Sequence, residues 1–252
     1  MTFIKDKPIQ KLGLEYNPVG LWLFDGNLND SSGNDFNLSG TPSYVTNLNG
    51  PTIPQSAVYG GTIWERPSRD ATLAITGAIT IEACGAFYPT GTQHIISLGS
   101  PESPDDEPHN TAYSLAITTN TMSILWETGS GSNIQLTSDV YTMPDGMPCH
   151  IVFTRSASNP ATANFYVNGI NCGIKSGTAA TGCTDPSCLL RIGGHNAGAS
   201  TLLSGTKLFS IKIIAAELTP TQVVDEYSWW KNNYLSRNIK QTYDKYYDLF
   251  GE

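Results

Sequence analysis

The residues with the most evident chemistry crowd one short stretch: Asp25, Asn27, Asn29, Asp30, Ser32, Asn34 and Asp35. Hard cations such as calcium are held by several oxygens drawn from carboxylates, amides and backbone carbonyls. Asp25, Asp30 and Asp35 are therefore the candidate metal ligands, and calcium is the one cofactor such a loop would suit. The spacing is not that of an EF-hand, which needs a glutamate at its twelfth position. The competing reading is turn chemistry: Asp and Asn bond their own backbone, and Gly33 supplies a positive φ.

Nothing comparable assembles for catalysis. Glycoside hydrolysis needs two carboxylates facing one bond, and Glu82 and Glu127 each stand alone on their strands. Glu82 reads as a paired surface or edge carboxylate with a structural role. The chain has no G-x-S-x-G, no H-E-x-x-H and no phosphate loop. Its four histidines, His94, His109, His150 and His195, are scattered, and a histidine works only with a partner. No catalytic residue is assigned, and an enzyme is not expected. Of the five cysteines, Cys183 and Cys188 bracket a tight Thr-Asp-Pro-Ser loop and are close enough in sequence to bridge it. Cys84, Cys149 and Cys172 sit inside strand-like runs and read as buried, reduced thiols. No zinc spacing is present.

The elements that carry these residues are β-strands. The chain has 252 residues and a formal net charge of −8, which suits one large β domain and disfavours nucleic acid as a partner. No run reaches the roughly 18 apolar residues of a membrane span, and Met1–Asn17 lacks the apolar core of a signal peptide. Many short alternating runs are broken by Gly, Pro, Asn and Ser. The clearest is Cys149–Gly173, which reads as a three-strand meander. Asn168-Gly169 between apolar runs calls for a type I′ turn. That turn pairs Val167 with Ile170 and Phe165 with Cys172, and puts all four on one face. A single helix comes late: Thr219 is its N-cap and Pro220 its first residue. The pattern predicts an all-β protein, a two-sheet antiparallel sandwich with a short C-terminal helical segment.

Four segments in order carry a resemblance. Cys149–Gly173, with HIVFTR and NFYVNGINCG, is similar to the mid-domain hairpin of the laminin-G-like jelly roll in the concanavalin A-like lectin/glucanase superfamily. Leu21–Gly40 resembles that family's opening strand and loop, Thr80–Phe87 a central strand, and Phe209–Tyr227 the closing strand and helix. The match covers Val19 to Tyr227. It implies a jelly-roll sandwich, with Cys84 and Cys149 where relatives often carry Trp. The glucanase branch is implied less, since its E-x-D-x-x-E run is missing. Relatives often bind calcium at loop carboxylates, and lectins of this fold take sugars at loops or on one sheet face. Aromatics stack on sugar rings, and the loop candidates are Tyr44, Tyr59, Trp64, Tyr88 and Tyr141, with His195-Asn196. Trp22, Trp64 and Trp126 also suit a core. No sugar site is singled out.

Residues 1–17 form an expected N-terminal arm, 18–234 the sandwich, and 235–252 an amphipathic tail. In the tail, Ile239, Tyr243, Tyr246, Tyr247 and Phe250 make one apolar helical stripe, fit for docking. The expectation is a non-catalytic recognition module that binds a surface glycan. Its setting would be a virus particle or the extracellular space, reached without a recognisable signal peptide. The tail would join it to sister copies or to a virion shell or tail protein. The alternative is a purely structural decoration or fibre protein of a virion, with no glycan ligand.

Overall fold

The computed structural model describes residues 16–45, 56–58, 63–99, 111–129, 132–142, 145–182, 188–195 and 201–232. The strands are β1 Gly20–Trp22, β2 Ser43–Val45, β3 Ser56–Val58, β4 Trp64–Glu65, β5 Ile79–Ala86, β6 Gln93–Gly99, β7 Thr111–Ile117 and β8 Met122–Gly129. They continue as β9 Ser132–Thr137, β10 Pro148–Arg155, β11 Ala161–Val167, β12 Ile170–Gly177, β13 Leu189–Ile192 and β14 Lys207–Ile214, and one helix follows, α1 Pro220–Trp230.

Two antiparallel sheets form from these strands. The first runs β12-β11-β10-β5-β14-β3-β2, with β1 also on β14; the second runs β4-β13-β6-β7-β8-β9. β5 and β14 are neighbours although eight strands, β6 to β13, come between them in the chain. Side chains alternate across each strand, so one set from each sheet meets in the middle. Ile79, Ile81, Ile151, Phe153, Ile211 and Ile213 of the first sheet pack there against Ile96, Leu98, Tyr113, Leu115, Ile124 and Leu190 of the second. The architecture is the predicted jelly-roll sandwich.

Trp22, Trp64 and Trp126 are fully buried in this core. The indole N–H of Trp22 donates to the Phe36 carbonyl at 2.9 Å, and that of Trp126 to the Thr178 carbonyl at 3.0 Å. Arg155 lies over the Trp126 ring and donates to the Ile75 and Gly77 carbonyls. That supplies a buried guanidinium with acceptors in place of water.

The Asn168-Gly169 turn forms as read, with φ of 52° and 77°, and pairs Val167 with Ile170. Two details differ from the expectation. The register shifts between Asn164 and Tyr166, so Phe165 and Cys172 are not aligned partners. Ile170 is 70% exposed, because β12 is an edge strand and among the described residues none covers it.

α1 opens with a capping box, in which Thr219 accepts from the Gln222 amide and Gln222 accepts from the Thr219 amide. A helix this short is marginal alone, so packing must hold it. Val223 joins Val152, Tyr166, Ile214 and Leu218, while Trp230 joins Cys84 and Phe209. All sit on the side of the first sheet turned away from the core. Tyr16, in the expected arm, packs against the first of these clusters. Burial of Val223 alone stabilises the docked helix by roughly 1.5–3 kcal/mol. Cys84, Cys149 and Cys172 are free thiols, the first two buried and the third half-buried. Cys188 is disulfide-bonded. Cys183 and the tail stripe from Ile239 to Phe250 lie outside the described residues.

Candidate functional site

The loop with the candidate metal ligands is organised by one of them. Asp30 Oδ1 accepts from the amides of Leu21 and Ser32, both at 2.9 Å. Its Oδ2 accepts from the Ser32 hydroxyl at 2.7 Å and the Phe36 amide at 3.0 Å. Asp25 is exposed and takes a bond from Asn27, while Asp35 is exposed with φ of 58°. Among the described residues no three His, Cys, Asp or Glu side chains converge as a metal would need. Asp30 has its oxygens occupied by four donors, so the loop fits a hydrogen-bonded turn and does not fit a calcium cage.

The outward face of the first sheet is covered by α1, and a charged cluster lies beneath the helix. Lys212 Nζ, from β14, donates to Glu82 Oε2 of β5 at 2.9 Å and to Glu226 Oε2 of α1 at 2.8 Å. His150 Nε2 lies 3.7 Å from the same Glu82 oxygen, and its ring stacks on Tyr227 and Trp230. A small cleft there is lined also by Leu21, Leu23, Cys84 and Ser210. Burial works against the charged form of Glu82, but the Lys212 ammonium and the His150 ring outweigh it and hold the carboxyl down to about 2. Burial works against the charged form of Lys212 too, yet the two carboxylates raise its pKa.

This corrects the reading of Glu82 as a surface or edge residue. It is paired, but on a central strand and only 4% exposed. Nor is it the only carboxylate at its site, because α1 delivers Glu226. The pair is nonetheless wrong for glycoside cleavage. That reaction needs one protonated acid, and here the ammonium of Lys212 sits between the carboxylates and keeps Glu82 ionised.

The outward face of the second sheet is built differently. One register row crosses all six strands: Glu65, Arg191, Ser97, Ser114, Leu125 and Gln135. The flanking rows are core pairs, so this row points away from the core. A second row holds His94, Ala116, Ser123 and Thr137. Ser97, Ser114 and Ser123 are buried although they face outward. They form a buried serine floor beneath the outward face, with the Ser97 hydroxyl donating to the Gly194 carbonyl at 2.9 Å. Toward β9 the face opens, and Gln135 and Thr137 are exposed.

His94 and His195 stand over this floor with ring centroids 4.6 Å apart. His94 Nδ1 bonds the Ser114 hydroxyl at 2.7 Å. Burial, and then the His195 ring, push the His94 pKa down to about 3; burial and Arg191 lower that of His195. Both rings are neutral near pH 7. The Nε2 atom of His195 and the Oδ1 atom of Asn133 are buried without a partner. Arg191 donates to Glu65 Oε2 at 2.8 Å and to the Gly99 carbonyl at 2.9 Å. Ser97, Ser114 and Arg191 are thus engaged, and the groups left for a ligand are the exposed Gln135 and Thr137 side chains with His195 Nε2 and Asn133 Oδ1, an amide, hydroxyl and imidazole set that suits polyols.

Among the described residues of the expected loop set, His195 is the one that reaches this face. Trp64 is core, Tyr44 and Tyr141 are half-buried, and Tyr59 and Asn196 lie outside the described residues. Tyr88 is 37% exposed at the end of the sandwich, with Gly146 so close that an added Cβ would lie 2.6 Å from its ring. His109 lies outside the described residues. Sequence reasoning missed His94, Ser97, Ser114 and Arg191. The available signal was polar residues alternating with Ile and Leu along β6, β7 and β13.

No protein-family model matches the chain, and no curated protein sequence matches it. Solved structures do. The binding domain of Paraclostridial Mosquitocidal Protein 1 is similar with a TM-score of 0.62 at 12% identity, over 84% of this chain and 52% of that one. Domain 4 of AbnA, a GH43 extracellular arabinanase from Geobacillus stearothermophilus, was solved in complex with arabinotriose. It is similar with a TM-score of 0.57 at 20% identity, over 83% of this chain and 98% of that one. A structure from work on botulinum neurotoxin type C, whose cell entry depends on two ganglioside molecules, is similar with a TM-score of 0.57 at 12% identity, over 83% and 50%. The chain thus spans about half the length of the toxin chains and nearly all of the arabinanase domain. At these identities the likeness shows the fold: a two-sheet β-sandwich shared with binding domains.

Proposed function

We propose that this chain is a non-catalytic glycan-binding module whose ligand lies on the outward face of the second sheet. The observation that carries the reading is the register row from Glu65 to Gln135, with the His94–His195 stack above its serine floor. An extended ligand can lie along such a row and meet a new side chain at each strand. Hydroxyls of the ligand would donate to His195 Nε2 and Asn133 Oδ1, which no side chain satisfies; buried polar atoms of that kind are usually paired. The imidazole faces give a sugar ring an apolar surface to rest on. Solved neighbours that bind arabinotriose and gangliosides support the class of ligand.

On the first sheet α1 covers the outward face and the charges of Glu82, Lys212 and Glu226 pair with one another, with Glu82 Oε1, His150 Nδ1 and Trp230 Nε1 buried beside them without a partner. The virion or extracellular setting, and assembly through residues 235–252, rest on the sequence alone. The test is binding of purified full-length protein to a glycan array, repeated with the double variant His94→Ala/His195→Ala. Binding by the parent, and its loss in a variant with unchanged far-ultraviolet circular dichroism, supports the reading. Retained binding in the variant would move the site elsewhere.

A further inference from the structure

One cation lies inside the sandwich with only neutral groups around it. Arg155, the last residue of β10, is 1% exposed. Its Nη2 donates to the Ile75 and Gly77 carbonyls, both at 2.9 Å, and its Nε to the Gly77 carbonyl at 3.3 Å. The guanidinium carbon lies 5.1 Å from the centre of the Trp126 ring. Among the described residues no ion pair includes Arg155. Its Nη1 is buried without a partner, and so is the hydroxyl of Tyr113, a fully buried residue of β7 in the opposite sheet. The two groups are close enough to act on each other. Burial raises the Tyr113 pKa and Arg155 works against the rise, while burial lowers the Arg155 pKa to about 10 and Tyr113 works against the fall. At neutral pH the guanidinium therefore keeps its charge.

We propose that Arg155 Nη1 and the Tyr113 hydroxyl hold a small monovalent anion of the halide class between the two sheets. Arginine is almost never fully buried unless it is paired, and carbonyls and a ring face satisfy N–H groups without cancelling the charge. A buried charge with no counter-charge is costly. The two groups left over here both donate, so their shared partner must accept. A single halide does so from several directions at once and brings one negative charge to one guanidinium. A divalent anion such as sulfate would leave a buried negative charge in place of the positive one. The ion ties the end of β10 in the first sheet to β7 in the second. It is a site apart from both outward faces and independent of the glycan-binding reading.

The test melts the full chain at constant ionic strength while sodium chloride replaces sodium gluconate in steps. Chloride should raise the melting temperature by about 2–4 °C or more, as binding to the folded state alone requires. Bromide should replace chloride, and sulfate should not. Tyr113→Phe keeps the packed ring and removes one donor, so it should need at least tenfold more chloride for the same rise. Arg155→Met should lose the response altogether. Crystals of the parent soaked in bromide, read by anomalous scattering, test the site without any variant: the ion should lie beside Arg155 Nη1 and the Tyr113 hydroxyl. A melting temperature indifferent to chloride, a Tyr113→Phe response equal to the parent's, or bromide found at the surface alone would overturn the proposal.

Discussion

The two outward faces of the sandwich start from the same strand alternation and end as opposites. On the first sheet, Glu82, Lys212 and Glu226 form a closed set beneath α1, with apolar clusters around Val223 and Trp230. On the second, short hydroxyls and neutral imidazoles face outward and no described helix covers them; unpartnered polar atoms occur on both faces, Glu82 Oε1, His150 Nδ1 and Trp230 Nε1 beneath α1 and His195 Nε2 and Asn133 Oδ1 on the open one. The charges of a face covered by its own chain pair with one another, because burial without a partner is costly. A face left for a ligand keeps donors and acceptors unmatched until the ligand arrives. The contrast separates a polar cluster that holds a fold together from one that can recognise something.

The largest expected effect tests the covered face. Lys212→Met leaves Glu82 and Glu226 buried without their shared cation, which should cost about 3–5 kcal/mol in urea unfolding. Glycan affinity of the folded fraction should not change. Replacing Glu82, Lys212 and Glu226 together by Leu, Met and Leu should recover most of that loss, since such exchanges of buried charges are often neutral. A single variant within 1 kcal/mol of the parent would show that this face is not sealed.

Acid should act on both faces, in one direction. The folded pKa of His94 is depressed to about 3, so the unfolded chain takes up a proton first and stability falls as pH drops below about 6.5. Glu82 is also depressed, so its contribution is complete above about 4.3 and is lost as pH falls toward 2. Thermal melts from pH 7 to pH 4 should show a loss on the order of 2 kcal/mol. In His94→Gln the part of that loss between pH 6.5 and 4.5 should shrink to the share that His195 contributes. The part of glycan affinity that depends on a neutral His94 should hold between pH 7 and 5.

On the open face, His94→Ala and His195→Ala should each weaken glycan binding about tenfold, or about 1.4 kcal/mol, measured by titration calorimetry. His150→Ala, beneath α1, should leave affinity unchanged. If His150→Ala abolishes binding and His94→Ala does not, the roles of the two faces are reversed. The smallest effect concerns the loop. Treating the protein with EDTA should leave its melting temperature unchanged, whereas Asp30→Ala should cost about 1–3 kcal/mol by orphaning the amides of Leu21, Ser32 and Phe36. A metal found in purified protein, with a lower melting temperature after EDTA, would restore calcium to Asp25, Asp30 and Asp35.

The sequence by itself determined what local chemistry controls. Asn168-Gly169 fixed a turn because both residues accept positive φ. Thr219, Pro220 and Gln222 fixed the start of α1 because capping depends on near neighbours. Alternation of Ile, Val and Phe with polar residues fixed a two-sided sheet, and four ordered segments pointed to the jelly roll. The same rules could not tell which side of each sheet would be covered, since that depends on where a distant element lands. Glu226 is more than a hundred residues from Glu82, and only docking of α1 brings it to Lys212. His94 and His195 are likewise a hundred residues apart and meet because β13 lies beside β6. Asp30 was one of three candidate ligands, with Asp25 and Asp35, and only the folded loop turned its two oxygens toward four donors. Patterns of near neighbours are set by the backbone's own geometry, whereas a site is a property of surfaces that tertiary packing brings together.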